Sequence, residues 1–326
     1  MNTAMLLRGL CIALVFAFPA IVLVASDTGS VFFFLLALLG LGVLVLPGTR
    51  TPLPREVKLI FFAVLGFVAV AVLSYLLVDM SETSLKKLGR YGRFLLLIPI
   101  FYLLRRVRLP QQTLWYGCAV GAIVAGIAAM DQVWWHLLLA PEERAAGSVH
   151  PIIFGDMALL LGVLSLAGLN YFWRQHRVLI ALPLLAAPLG MLASFLSASR
   201  GGWLALPALA LLFAWYEWRH AHIQPRYFAA AAIALSKLVM AAYMVPQTGV
   251  QGRVDEARQD IHAYFTYGVA DTSVGARLEM WKAALRIFRD HPLFGVGSGD
   301  GYLAAKQALV DSGQADKIII KHSHPH

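Results

Sequence analysis

The side chains in this sequence best suited to chemistry are cations, glycines and histidines at a few defined places. Arg200 sits in Ser197–Trp203 (SASRGGW), between two apolar runs. An arginine near bilayer depth costs roughly 2.5–3.5 kcal/mol on insertion scales, so such residues are usually functional or paired. The alternative is an arginine snorkelling from a helix end. Gly201 and Gly202 beside it permit a tight turn and close approach of a ligand. Lys86, Lys87, Arg90 and Arg93 form a second group, in Leu85–Arg93 (LKKLGRYGR). Helical spacing puts Lys86, Arg90 and Arg93 on one face, either as a solvated turn beside headgroups or as a site for a lipid-borne anion. Further on, Leu293–Tyr302 (LFGVGSGDGY) alternates glycines at Gly295, Gly297, Gly299 and Gly301. Such a run can cradle phosphate with backbone N–H groups, although it matches neither a Walker motif nor a dinucleotide fingerprint. The chain ends with His322, His324 and His326, three imidazoles able to take up a proton near neutral pH. No paired helical motif accompanies them, so we assign no metal site and no cofactor.

The elements that must position these groups are membrane helices. Hydrophobic residues make up 59% of the 326-residue chain and charged residues 14%, with mean hydropathy +0.69. Soluble domains carry roughly 25% charged residues. The expected fold is therefore all-α, a polytopic transmembrane helical bundle. Runs long enough to span predict nine helices, near 4–25, 31–47, 59–78, 93–104, 112–130, 153–172, 178–197, 202–216 and 227–245. The fourth and eighth are short. An apolar run starting at Val31 favours an uncleaved first span over a signal peptide. Cys11 and Cys118 lie inside apolar runs and define no disulfide framework.

Basic residues set the orientation. Arg8 and the loops 47–58, 105–111, 173–177 and 217–226 hold eleven, against six in the alternate short loops. The N-terminus is thus expected inside, and residues 246–326 outside, as one large polar segment following a membrane domain of residues 1–245. This distribution also accounts for the net charge of +9 without nucleic acid. Within the outer segment, Asp255–Tyr267 and Val274–Arg289 read as helices, the second marked by Leu278, Trp281, Leu285 and Phe288. Arg277 stands one turn before Trp281, and His291-Pro292 ends the helix. Lys237 inside the ninth span has three open readings: pairing, snorkelling or facing a cavity. Asp156, at the start of the sixth span, could orient an arginine or histidine.

Taken in order, Ser199-Arg200-Gly201-Gly202-Trp203, Arg277-Leu278 with Trp281, His291-Pro292-Leu293-Phe294-Gly295-Val296-Gly297 and the terminal histidines resemble the O-antigen ligase superfamily. The motif resemblance covers about Leu192 to His326. It implies a GT-C-like membrane fold with one large helical periplasmic loop, in a bacterial inner membrane. The implied reaction is metal-independent, inverting transfer of a glycan from undecaprenyl diphosphate, the donor, to a hydroxyl of lipid A–core, the acceptor. Carried over by motif, Arg200 and Arg277 would stabilise the diphosphate, and one of His322, His324 and His326 would activate the acceptor. Lys86, Lys87, Arg90, Arg93, Gly295 and Gly297 would contact substrate. The family's histidine motif continues into His-Asn and further spans, so two or three more spans are expected beyond His326.

Three rivals remain at this level. An O-antigen polymerase uses the same donor with another lipid-linked glycan as acceptor. A protein O-oligosaccharyltransferase shares the motifs but usually has a longer C-terminal region. A lipid-linked glycan transporter would be expected to show several mid-span ions and interrupted helices in two halves, whereas Lys237 is the one clear mid-span ion.

Overall fold

The structure is a computed structural model that describes residues 3–46, 53–139, 144–199, 201–203, 240, 244 and 250–321. The described residues contain helices and no strands. In chain order these are α1 (Thr3–Ile21), α2 (Thr28–Val45), α3 (Arg55–Leu77), α4 (Glu82–Gly92), α5 (Leu97–Val107), α6 (Gln112–Leu139), α7 (Pro151–Ala167), α8 (Leu169–Gln175), α9 (Ala181–Leu196), α10 (Val250–Tyr267), α11 (Ser273–Asp290), α12 (Asp300–Asp311) and α13 (Ile318–Lys321). Short 3-10 turns at Arg93–Leu96 and Arg177–Ile180 precede α5 and α9.

Five helical segments among the described residues are long and apolar enough to cross a membrane: Ala4–Ile21, Thr28–Val45, Arg55–Leu77, Gln112–Trp134 and Arg177–Leu196. A sixth span is formed if α7 and α8, bent by 50° at Gly168, cross as one. The chain is a multi-pass membrane protein. The expected fourth span differs in form. Its helical residues, Arg93–Leu96 and Leu97–Val107, are too few to cross alone, and they continue directly from α4. The expected eighth and ninth spans, with Lys237, lie outside the described residues apart from a few positions.

The chain divides into two compact units, Met1–Leu38 with Leu103–Gln251, and Leu39–Tyr102 with Gly252–His326. The polar C-terminal segment thus groups with α3 and α4 rather than standing alone. In the first unit α1, α6, α7 and α9 pack around Ala119, Ala122, Ala125, Ala158, Ala186 and Ala193. Small residues matter here because lipid removes the hydrophobic drive between helices, leaving close backbone packing as the main attraction. A Cβ on Gly121 would lie 2.0 Å from the Pro19 carbonyl oxygen, and one on Gly190 would lie 2.4 Å from that of Ala158. Gly121→Val must therefore push α6 off α1. We expect a destabilisation of about 1–3 kcal/mol or more, read as a lowered melting temperature in detergent. Ile127→Ala, at a 53% exposed position of α6, should leave melting nearly unchanged.

The second unit contains α10 to α13 around Ala270, Ala276, Met280, Ala283, Ile287, Leu309, Ile318 and Ile319. Helix α11 begins where the Thr272 hydroxyl accepts a hydrogen bond from Gly275 N–H at 3.0 Å. It ends at His291, where Pro292 disfavours continuation. Its buried face is Gly275, Ala276, Glu279, Met280, Ala283 and Ile287. Trp281, Leu285 and Phe288, which mark the helix in the sequence, point the other way and are exposed.

Candidate functional site

The glycine run and the end of α3 form one structure. Asp79, two residues past α3, accepts four hydrogen bonds. Its Oδ2 takes them from Ser84 Oγ at 2.7 Å, Gly299 N at 3.1 Å and Gly301 N at 3.2 Å, and its Oδ1 from Ser81 N at 3.2 Å. Gly299 is the N-cap position of α12, whose first N–H groups have no partner within the helix. Asp79 supplies the missing acceptor and places negative charge at the positive end of α12. Burial would raise its pKa, but the hydrogen bonds from Ser84, Gly301 and Ser81 outweigh it and lower the pKa to about 2.

Two further contacts fasten the same loop. Ser74, in the last turn of α3, donates from Oγ to the Phe294 carbonyl at 3.0 Å, and the Lys87 ammonium donates to the Ser298 carbonyl. Gly297 has φ +83, and a Cβ there would lie 2.3 Å from Asp79 Cβ. On Gly301 a Cβ would meet the Val296 carbonyl oxygen at 1.9 Å. Only glycine fits these two places.

The alternating glycines therefore direct N–H groups into the protein. Of the two glycines expected to contact substrate, Gly295 donates its N–H to His291 O at 3.2 Å, and Gly297 packs on Asp79. The phosphate-cradle geometry expected from the spacing is occupied at Gly299 and Gly301 by an internal carboxylate. No motif in the sequence points to Asp79; a lone acid just after a span is the only signal.

The basic cluster lies on helix α4 and the turn after it. Ser81 caps α4, accepting from Ser84 N at 3.1 Å. Lys86, Arg90 and Arg93 are exposed, and Lys86 pairs loosely with Glu82 at 3.9 Å. Lys87 is half-buried on the other side, engaged with the glycine loop. A second lysine joins it there. Lys306 of α12 is buried, donates to the Ile319 carbonyl at 3.1 Å and lies 5.0 Å from the centre of the Tyr302 ring. Burial, and then the charge of Lys87, lower its pKa. Sequence reasoning missed Lys306, which reads there as an ordinary charge on a polar helix.

Arg277 is half-buried on α11, and its guanidinium makes no hydrogen bond or ion pair with the described residues. Nearby in sequence, Glu279 is buried and holds three elements together. It accepts from the Tyr264 hydroxyl of α10 at 2.6 Å and from Asp316 N at 3.3 Å, and Lys282 stands 3.5 Å away. Burial first, then the Glu279 hydrogen bond and charge, raise the Tyr264 pKa to about 12. Asp316 and Ile318 open α13, which leads into the terminal histidines.

Arg200, His322, His324 and His326 lie outside the described residues. The residues flanking Arg200 belong to the first unit. Ala198 has the uncommon left-handed φ of +52, and its carbonyl accepts from Arg144 at 2.6 Å. The Ser199 hydroxyl donates to Asp156, which also lies 2.8 Å from where a Cβ on Gly202 would sit. The Asp156 carboxylate thus stands against Ser199 and Gly202. Among the described residues no three His, Cys, Asp or Glu side chains converge as a metal site would require.

Apolar helices long enough to span, together with a polar helical segment, define a multi-pass membrane protein. Residues 184–326 match the family model described as O-Antigen ligase, so that part of the chain is similar to this family. The chain is also similar to an uncharacterized protein of Haemophilus influenzae, 27% identical over 274 residues. That alignment covers 83% of this chain and 66% of the relative's length.

Proposed function

We propose that this protein transfers a glycan from undecaprenyl diphosphate to lipid A–core, as an O-antigen ligase at the periplasmic face of the inner membrane. The observation that carries the reading is Arg277, a half-buried guanidinium with no partner among the described residues, within the residues that match the family. A half-buried cation without an internal counter-charge suits an anionic ligand better than a structural role. Lys87 and Lys306 add positive field in the same unit.

In this mechanism Arg277 and Arg200 grip the diphosphate and stabilise the charge that develops as the glycosidic bond breaks. One of His322, His324 and His326 removes the proton from the acceptor hydroxyl, whose oxygen attacks the anomeric carbon from the opposite face. The diphosphate leaves with the bonding electron pair, and configuration inverts. The exposed face of Lys86, Arg90 and Arg93 offers an outer contact for phosphate-bearing lipid.

Topology supports the reading as well. Hydrogen bonds join the end of α3 to residues 294–301, so the two lie on one side of the membrane. The basic-residue distribution in the sequence favours the periplasm as that side.

Arg277→Ala, expressed in cells lacking their own copy, is expected to lower glycan attachment to lipid A–core on the order of 100- to 1000-fold. The protein should remain in the membrane at normal abundance, and Arg277→Lys should recover only part of the activity because it cannot bind bidentately. Lipopolysaccharide ladders read the outcome, and full-length ladders in the Ala variant would overturn the role. Loss of long glycans from the lipid-linked donor itself would instead identify a polymerase.

A further inference from the structure

We propose that α11 and the residues after it, from Trp281 to Phe294, lie on the bilayer as an interfacial surface held there by the end of α3. The exposed side of α11 is unusually apolar for a helix outside the membrane spans. Trp281 is 51% exposed, Leu285 64% and Phe288 63%, at the i, i+4, i+7 spacing of one helix face. Leu293, 80% exposed, and Phe294 continue the apolar surface immediately beyond the helix.

What covers this surface is indicated by where it is attached. The Phe294 carbonyl accepts a hydrogen bond from Ser74, inside the last turn of α3. Helix α3 is 23 residues long, apolar enough to span, and has almost no surface buried among the described residues, which leaves its sides open to lipid. Near its end Leu73, Leu76 and Leu77 are all exposed. Phe294 is therefore fixed at the depth of the final turn of a lipid-facing span, and the apolar surface of the loop runs on from that of α3. The Asp79 hydrogen bonds to Gly299 and Gly301 hold the following turn to the same helix end.

The flanks of the stripe fit a phospholipid surface. Lys282 and Arg289 are exposed beside it, placed to reach phosphate groups while the rings and Leu285 enter the acyl boundary. A tryptophan at the start of the stripe suits the headgroup level, where amphipathic rings concentrate. The opposite face of α11 is already used by the core of the second unit, leaving Leu285 and Phe288 on the side available to lipid. Interfacial helices of this kind bury their apolar face about 5–10 Å into the boundary region. The placement holds whatever reaction the protein performs.

The test uses the full chain, with Cys11 and Cys118 replaced by alanine, in phosphatidylethanolamine–phosphatidylglycerol liposomes. Leu285→Cys, Phe288→Cys and the control Gln307→Cys, an exposed polar position on α12, each receive an environment-sensitive fluorophore. Labels at 285 and 288 are expected to be blue-shifted and to lose most of their emission to lipid nitroxides, more strongly to one near the headgroup than to one at the acyl terminus. The label at 307 should respond to aqueous iodide and not to lipid nitroxides. Iodide quenching at 285 and 288 matching that at 307 would overturn the proposal. Protection of both from iodide and lipid nitroxides alike would also overturn it, showing that protein covers the face. Fluorescence does not depend on glycan transfer, so a failed ligase assay and a failed membrane contact are told apart.

Discussion

Asp79→Ala should release the glycine loop from α3, with the Gly299 and Gly301 amides exchanging with deuterium roughly 10- to 100-fold faster. The carboxylate caps α12 from outside, and its removal leaves the N–H groups of Gly299, Gly301 and Ser81 and the Ser84 hydroxyl without their acceptor. Hydrogen bonds to a charged group contribute about 1.5–3 kcal/mol each, and those lost here act on one small turn. Exchange in α1, α6, α7 and α9 should not change, because that core lies in the other unit. Asp79→Asn, which retains one side-chain oxygen, should fall between wild type and alanine.

The same contact predicts a pH response with a definite sign. The folded-state pKa of Asp79 is depressed, from an ordinary 3.8 to about 2. A depressed carboxylate contributes stability that is complete above its unfolded value and is lost as pH falls through the folded one. The loop should therefore be equally protected at pH 5 and above and should loosen between about pH 4 and pH 2. Asp79→Asn removes that dependence. An exchange profile of wild type that was flat across the acid range would contradict the assignment.

Glu279→Ala is expected to have the second large effect. Its carboxylate is buried and joins α10, α11 and the turn before α13 through the Tyr264 hydroxyl and Asp316 N–H. Truncation strands both donors, at a cost of about 1–3 kcal/mol for each group left unsatisfied in the interior. The loss falls on the turn that leads to the histidines. Limited proteolysis after Ser312 should accelerate, and glycan transfer should fall even though no substrate contact is assigned to Glu279. Glu279→Gln keeps acceptor oxygens and should be milder. Its neutral amide should also let Tyr264 titrate below about 12, although burial, the larger cause, remains.

Much of the architecture was legible in the sequence for a simple reason. Membrane helices must satisfy every backbone hydrogen bond within themselves, so an apolar run of sufficient length has few alternatives. The helix expected over 274–289 also has local causes, a threonine cap and a terminating proline. Helix α12 was not expected because its start has no local cap; Asp79, 220 residues away in the chain, provides it. The exposed side of α11 was likewise hidden. Periodicity shows that Leu278, Trp281, Leu285 and Phe288 share a face but not what that face meets, and the small residues on the other side proved to be the packed ones.

For the functional residues, the sequence by itself determined a kind: arginines and histidines in an order that resembles one superfamily, with a separate lysine and arginine cluster, on a chain greasy enough to live in a membrane. The tertiary structure decided what each group is free to do. Glycines spaced as if for phosphate give their N–H groups to Asp79, because a carboxylate brought to a helix start in the fold competes for the donors a ligand would need. Lys87 is committed to the same loop, while Arg277 makes no hydrogen bond or ion pair with the described residues. Spacing along a chain can propose donors, but which of them remain unspent depends on what folding carries beside them.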